Sequence, residues 1–210
     1  MGERRRVSLG FSEEMHEEGD HIVYLYNNDS EKKRTMARFL QEGLHADEKV
    51  LYLVHDIPPE EMLGELRQLG VDMDSAGKAF DMLTAHYTHC PGGIFSKDYM
   101  LDVVGAYYDD AIQDGFSGAR GAGEMSWAAE GGHAELRDLL EYESRLNSIL
   151  ADHPLTTVCQ YDVRLFSGQL ILDILRVHPL AVVGGQLVKN PYYIVPDRFL
   201  DELDHRIPTA

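Results

Sequence analysis

The sequence contains little cysteine, little tryptophan and little positive charge. Its two cysteines, Cys90 and Cys159, lie far apart and form no Cys-x-x-Cys pair, which is typical of a protein in a reducing compartment. Lysine and arginine together number 19 against 36 aspartates and glutamates, so the formal net charge is −17. We therefore expect no direct binding to nucleic acid or to an anionic membrane, because phosphate contacts need a basic surface.

Long apolar segments are missing as well. No run approaches the roughly 20 residues of a membrane-spanning helix, and no hydrophobic core follows Arg4-Arg5-Arg6 as it would in a signal peptide. These absences predict a cytoplasmic protein. A chain of 210 residues suits a single domain. We expect a flexible tail over residues 1–18 and one folded domain over residues 19–206.

Short β-rich runs alternate with amphipathic helical segments along the chain. The predicted strands cover residues 21–26, 49–55, 80–86, 117–127, 156–161 and 180–188. The predicted helices cover residues 31–43, 60–69, 96–114, 135–150 and 168–176. Such alternation indicates right-handed βαβ units. The predicted fold class is α/β, a three-layer sandwich with a mainly parallel central sheet and helices on both faces.

The fourth predicted strand, residues 117–127, is unusual. Its glycines Gly118, Gly121 and Gly123 should weaken a strand, and glycines in such a place usually let another backbone or a ligand come close. Glu124 and Trp127, the only tryptophan, follow near the carboxyl end of the strand, where open α/β sheets bind ligands. The alternative is a flat strand under a tightly packed helix, with Glu124 in solvent.

The carboxyl ends of the other predicted strands add aromatic and polar residues at the same edge. Aromatic walls with a few directional hydrogen-bonding groups suit a pocket for a small organic molecule. The predicted ligand-binding residues are Tyr26, Asn27, His55, His86, Glu124, Trp127, Gln160 and Tyr161. Loops 86–95 and 128–133, which contain Gly92-Gly93 and Gly131-Gly132, are expected to move when the ligand enters.

Motifs for nucleotide binding and nucleophilic catalysis are absent from the sequence. The turn at residues 26–33 lacks the glycines and the Gly-Lys-Ser/Thr ending of a phosphate-binding loop, and no strand leads into a Gly-x-Gly-x-x-Gly helix start. No Gly-x-Ser-x-Gly elbow is present, and Cys159 is expected to be a small buried hydrophobic residue rather than a reactive thiol. We therefore predict no cofactor and no catalytic residue.

An enzymatic interpretation nevertheless stays open. His86, His89 and Cys90 lie within a few residues of one another, and Glu124 or His55 could complete a zinc site with them. Surface histidines are the preferred interpretation, because a metal site needs a full ligand set with the right geometry. Glu124 could serve as a general base or as a hydrogen-bond anchor for a ligand. A metal- or Glu-dependent hydrolase is thus the alternative to a binding domain.

Several motifs along the chain form a recognisable series. They are Gly123-Glu124-Met125-Ser126-Trp127-Ala128, Val158-Cys159-Gln160-Tyr161-Asp162, His178-Pro179 and Asn190-Pro191-Tyr192-Tyr193, and residues 19–22 and 48–52 fit the same pattern. In this order they resemble the MEDS family, the methanogen/methylotroph DcmR sensory domain, over residues 19–200. The resemblance implies a sheet similar to that of RecA and KaiC ATPases, without a working phosphate loop. It also implies a sensory role that involves small hydrocarbon derivatives.

The resemblance further implies a regulatory partner, because such domains often stand beside kinase, anti-sigma or DNA-binding modules. With no such module in these 210 residues, we expect signalling to a separate protein of one of these types. A purely protein-binding regulator with a vestigial pocket is another alternative, in which the acidic surface would meet a basic partner. Residues Tyr192-Tyr193-Ile194 could seal a homodimer, although packing against the chain's own core is the more ordinary explanation.

Overall fold

The computed structural model of the protein describes residues 4–130 and 133–206. Its main sheet has the strand order β5-β4-β6-β7-β3-β8-β9, and every neighbouring pair is parallel except β8 and β9. These strands are β3 (His21–Tyr26), β4 (Glu48–Val54), β5 (Phe80–Thr84), β6 (Gly118–Glu124), β7 (Thr156–Asp162), β8 (Leu180–Val183) and β9 (Gln186–Lys189). The prediction of an α/β fold with a mainly parallel sheet is confirmed.

Helices cover both faces of the sheet. On the face that we call the α1 face, the core includes residues of α1 (Asp29–His45) and α2 (Pro59–Gln68), and the short α3 (Met73–Ala76) follows α2. On the opposite face, the α6 face, it includes residues of α4 (Ala85–His89), α5 (Lys97–Gln113), α6 (His133–Asp152), α7 (Gly168–Val177) and α8 (Pro196–Arg206). Side chains alternate between the faces along each strand. In β7, for example, Val158 belongs to the core of the α1 face and Cys159 to that of the α6 face.

Polar residues define where several helices begin. Asn28, Ser96 and Ser167 precede α1, α5 and α7, and the side-chain oxygen of each accepts a hydrogen bond from a backbone N–H in the first turn. Such caps satisfy donors that have no partner within the helix. Among the described residues, no helix is both long and apolar enough to cross a membrane.

Two predicted strands differ from those in the structure. The prediction of one strand over residues 180–188 was wrong, since β8 and β9 form an antiparallel hairpin around Gly184 and Gly185. These glycines have φ angles of +57° and +75°, the backbone conformation that a tight two-residue hairpin turn requires. The strand predicted over residues 80–86 ends at Thr84, and the chain continues as α4.

Residues 4–18 form a hairpin packed on the sheet domain, in place of the flexible tail that the sequence suggested. Ion pairs and apolar packing both hold this hairpin on the sheet. Arg5 Nη2 donates to Glu48 Oε1 at 3.1 Å, and the Glu48 side chain is fully buried and therefore needs positive partners. Arg120, also fully buried, is the second partner of Glu48, while Leu9 packs in the core of the α1 face. The two strands of the hairpin are β1 (Arg6–Ser8) and β2 (Met15–Glu17).

Candidate functional site

A buried ion-pair network occupies the carboxyl edge of the sheet on the α1 face. Lys32 of α1, only 1% exposed, donates from Nζ to Asp56 Oδ2 at 2.6 Å and to Glu124 Oε1 at 2.8 Å. Glu124, fully buried, also accepts from the Tyr52 hydroxyl at 3.0 Å and from the backbone N–H groups of His55 and Asp56 at 2.6 and 2.9 Å. Glu124 therefore ties the end of β6 to α1 and to the turn after β4.

The charges of this network are stable and mutually compensating. Burial by itself would lower the pKa of Lys32, but the charge of Glu124 raises it above its usual value. Burial would raise the pKa of Asp56, yet the hydrogen bond and charge of Lys32 lower it. Burial also raises the pKa of Tyr26, whose neutral hydroxyl donates to Asp56 Oδ2 at 3.3 Å. One ammonium group thus neutralises much of the charge of two carboxylates.

The open cleft beside this network, with a volume of about 260 Å³, is also charged. Arg164 on its wall pairs with Asp29 and Asp162 at 2.5 Å each. The first turn of α1 carries Asp29 and Glu31, and its N–H at Glu31 is bound by the Asn28 side chain. Acidic side chains at a helix N-terminus oppose the anion binding that such a position otherwise favours. The cleft is therefore poorly suited to a phosphate group.

The structure divides the predicted ligand-binding residues between the two faces. Tyr26, Glu124 and Gln160 lie on the α1 face, whereas Trp127 and Tyr161 pack on the α6 face. The others are Asn27, exposed after β3, His55, half-buried after β4, and His86, within α4. Glu124 and Trp127 do not line a shared hollow, because their side chains lie on opposite faces of the sheet.

Trp127 instead belongs to an aromatic cluster with His89, Phe95 and Tyr142. Its ring stacks on that of His89 at a centroid distance of 4.8 Å and lies 5.0 Å from that of Phe95. Burial lowers the pKa of His89 to about 4, so the ring is neutral, and its Nδ1–H donates to the Ala85 carbonyl at 2.8 Å. Among the described residues, His86, His89 and Cys90 do not converge as a group of metal ligands. His89 is buried, and its interpretation as a surface histidine was therefore wrong.

A small apolar cavity of about 40 Å³ lies beside this cluster, beneath β6 on the α6 face. It exists because Gly121 and Gly123 present no side chains there. A Cβ atom on Gly121 would lie 3.4 Å from Leu155 Cδ2, and one on Gly123 would lie 3.9 Å from Met125 Sδ, both ordinary contact distances. Its further walls include Leu51 and Leu53 of β4, Val104 and Tyr107 of α5, and Tyr142 of α6.

The polar groups of the cavity are few and uncharged. His89, Thr157 and Cys159 line it among the apolar residues. Burial, followed by the charge of Glu143, raises the pKa of the Cys159 thiol, so Cys159 is not a nucleophilic thiolate there. At its border the Tyr107 hydroxyl donates to Asp81 Oδ2 at 3.1 Å and joins α5 to β5. The cavity suits a small neutral molecule with little hydrogen-bonding capacity.

Of the two glycine pairs predicted as hinges, Gly92-Gly93 lies before α5 with φ angles of +78° and +87°. Gly131 and Gly132 lie outside the described residues. The sequence interpretation also missed a fully buried polar cluster of His21, Glu143, Cys159 and His178. These residues come from distant parts of the chain, so no local spacing in the sequence signals them.

Solved structures with a similar fold include a KaiC-like protein and a flagellar accessory protein. A KaiC-like protein from Pyrococcus horikoshii is 16% identical with a TM-score of 0.61, and the match covers 85% of this chain and 80% of that one. The flagellar accessory protein FlaH from Methanocaldococcus jannaschii is 13% identical with a TM-score of 0.56, covering 81% of this chain and 75% of FlaH. At these identities the matches establish the fold, which is RecA/KaiC-like as the resemblance implied.

A relative of known role is the transcriptional repressor DcmR of Methylorubrum extorquens, 29% identical over 160 residues. The match covers 76% of this chain and 58% of the repressor, so the chain spans little more than half the length of this relative. The model of the "MEthanogen/methylotroph, DcmR Sensory domain" matches residues 20–179. This chain therefore belongs to the MEDS family of sensory domains, and its role is sensory and regulatory.

Proposed function

We propose that this protein is a non-catalytic cytoplasmic sensor that binds a small neutral organic molecule, such as a hydrocarbon derivative, in the cavity beneath Gly121 and Gly123. The observation that carries the proposal is unfilled apolar space under β6, an interior strand of the sheet. Protein cores are normally close-packed, and glycine weakens a strand. Two glycines above a cavity therefore cost stability in two ways, because they weaken the strand and leave core space unfilled. This double cost supports a role for the space itself.

The chemistry of the two candidate sites favours the cavity over the carboxyl edge. At the edge, the basic groups Lys32 and Arg164 pair with acidic side chains, and a hydrocarbon derivative offers them nothing that would replace those partners. In the cavity, the ligand would replace empty space with dispersion contacts, while His89, Thr157 or Cys159 offers one weak polar contact. About 40 Å³ holds only a few non-hydrogen atoms, so the ligand is small.

The same arrangement offers a way to signal. The cavity lies between β4 and β6 on one side and α5 and α6 on the other, so a ligand larger than the space must shift α5 outward. Such a shift would strain the Tyr107–Asp81 hydrogen bond and move the loop at residues 91–95. Binding produces a signal only if it favours one state over another, typically by about 1–3 kcal/mol. A separate regulatory protein of the kinase, anti-sigma or transcription-factor type would recognise the shifted state.

The hydrolase alternative has less support. Glu124 is fully buried and accepts four hydrogen bonds from Lys32, Tyr52 and two backbone N–H groups, which leaves it poorly placed to act as a base. A general base must reach the proton that it removes, directly or through one water molecule. Glu124 is therefore better explained as a structural anchor.

The test is a calorimetric and thermal-shift screen of small neutral alcohols, thiols and halocarbons against the full chain. For every hit, we expect Gly121→Ala to abolish binding. Asn27→Ala, at the exposed carboxyl edge, should leave binding unchanged. If Asn27→Ala weakens binding and Gly121→Ala does not, the ligand site is at the edge. If no compound binds, the sensor has no small-molecule ligand of this class.

A further inference from the structure

We propose that His21, Glu143, Cys159 and His178 bind one divalent transition-metal ion, for which Zn²⁺ is best suited, in a closed structural site on the α6 face. This site goes beyond the sensory function proposed above and does not depend on it. The four residues come from the start of β3, the middle of α6, the interior of β7 and the position after α7. Each of the four is at most 5% exposed.

Their potential ligand atoms converge, all lying within 4.8 Å of one another. Glu143 Oε2 is 3.2 Å from His21 Nε2 and 3.5 Å from His178 Nε2. Cys159 Sγ is 3.5 Å from both His21 Nε2 and Glu143 Oε2. In a tetrahedral zinc site with bonds of about 2.0–2.3 Å, neighbouring ligand atoms are roughly 3.3–3.7 Å apart. Four of the six distances of such a tetrahedron are therefore close to their required lengths without any movement of the backbone.

The hydrogen bonds around the cluster orient lone pairs toward its centre. His178 Nδ1 donates to the Ile174 carbonyl at 2.8 Å, and His21 Nδ1 lies 3.2 Å from Asn147 Oδ1. The Asn147 amide nitrogen donates to three backbone carbonyls, which fixes its oxygen as the acceptor for His21. With Nδ1 as the donor, the neutral form of each ring would direct an Nε2 lone pair inward, as in metal-ligating histidines whose other nitrogen donates to an oxygen.

The inward-facing atoms then lack a sufficient positive partner. His178 Nε2 is buried and has no hydrogen-bond partner among the described residues. The Tyr161 hydroxyl donates to Glu143 Oε1 at 2.5 Å and leaves Oε2 directed at the two imidazoles. Two imidazole lone pairs and a carboxylate oxygen that meet at one point repel one another unless a cation or a proton lies between them. A metal ion bound by all of them would remove this repulsion.

Metal binding would change the protonation of the cluster. Cys159 would release its proton to the solvent when the metal binds. The competing arrangement is a proton shared between His178 and Glu143.

The donor set indicates the class of metal. Two imidazoles, one thiolate and one carboxylate match the ligands of Zn²⁺, whereas Mg²⁺ and Ca²⁺ prefer oxygen alone. Since all four positions come from the protein, the site is closed, which is typical of structural rather than catalytic zinc. It would fasten β3 and β7 to α6. Cys159 also lines the apolar cavity, so the metal would hold one wall of the proposed ligand site.

The test uses the full chain purified without a histidine tag, stripped with a chelator and titrated with Co²⁺ as a spectroscopic probe. We expect one Co²⁺ per chain, with the intense visible bands of four-coordinate Co²⁺ and a thiolate charge-transfer band, both lost on adding Zn²⁺. Cys159→Ser should lose the charge-transfer band. Cys90→Ser, which changes the other buried cysteine, should keep it.

A second measurement is needed in case a variant of one of the four metal-ligating residues folds poorly. Zn²⁺ should raise the Tm of the stripped wild-type chain. Asn147→Ala, which removes the acceptor of His21 together with the amide hydrogen bonds to three backbone carbonyls, should weaken Co²⁺ binding by roughly 10- to 100-fold. The proposal is overturned if the wild-type chain takes up neither metal stoichiometrically, or if the charge-transfer band survives in Cys159→Ser. Gly121→Ala should keep full metal binding, so failure of the ligand site and failure of the metal site are distinguishable.

Discussion

Replacement of Gly121 by alanine should make the protein more stable while removing its ligand binding. The new methyl group occupies part of the 40 Å³ cavity and meets Leu155 Cδ2 at an ordinary contact distance of 3.4 Å. Eliminating a cavity of this size recovers up to about 1 kcal/mol at roughly 24 cal/mol per Å³. The lower backbone entropy of an unfolded alanine adds about 0.5–1 kcal/mol. We expect a net gain of about 1 kcal/mol, or a Tm roughly 2–4 °C higher.

Urea unfolding and calorimetric ligand titration of the same preparations measure both effects. The control is Gly64→Ala in α2, where the added Cβ would have no atom within 4 Å other than those of its chain neighbours and of its own helix backbone. It should gain about 0.5–1 kcal/mol from helix propensity and bind ligand as the wild type does. A Gly121→Ala protein that is destabilised, or that binds every ligand with wild-type affinity, would refute the reasoning, because the cavity would then be neither free space nor the site.

Three further predictions concern buried ionisable groups. Lys32→Met should lower the free energy of unfolding, measured in urea, by about 3–5 kcal/mol, because the buried charge of Glu124 loses its partner. Adding Glu124→Gln should recover most of that loss. Additive losses in the double variant would contradict an ion pair. His89, with a pKa of about 4 against roughly 6.5 when unfolded, stabilises the protein fully above pH 6.5 and progressively less toward pH 4. Between pH 7 and pH 5, the free energy of unfolding of His89→Gln should therefore fall by about 2 kcal/mol less than that of the wild type. An equal fall in both proteins would show that His89 is not the titrating group. Gly43→Ala should destabilise the protein by about 1–3 kcal/mol, although alanine favours helices, because the added Cβ would lie 2.5 Å from Arg120 Cδ. A Tm at or above that of the wild type would mean that the Arg120 side chain moves aside freely.

Local patterns in the sequence were sufficient for the elements and the family. The apolar run of β4 and the helical spacing of Met36, Phe39 and Leu40 in α1 both reflect nearest-neighbour geometry, which any reader of the sequence can apply. The weak, glycine-rich β6 was also evident, since glycine acts through its own backbone. The hairpin of β8 and β9 was missed although Gly184-Gly185 is a recognised turn signal. The order of motifs along the chain was sufficient to identify the MEDS family.

Only the tertiary structure decided which side chains meet. Gln160 and Tyr161 are neighbours in sequence, yet one contacts Tyr52 on the α1 face and the other contacts Glu143 on the α6 face. Residues at the end of a strand share an edge of the sheet but alternate between its faces. His21 and His178 lie 157 positions apart, yet their ring centroids are only 4.0 Å apart, because parallel pairing places β3 beside both β7 and β8. The sequence by itself thus determined the elements, the class of fold and the family, whereas the cavity and the buried cluster depend on long-range packing that no local pattern encodes.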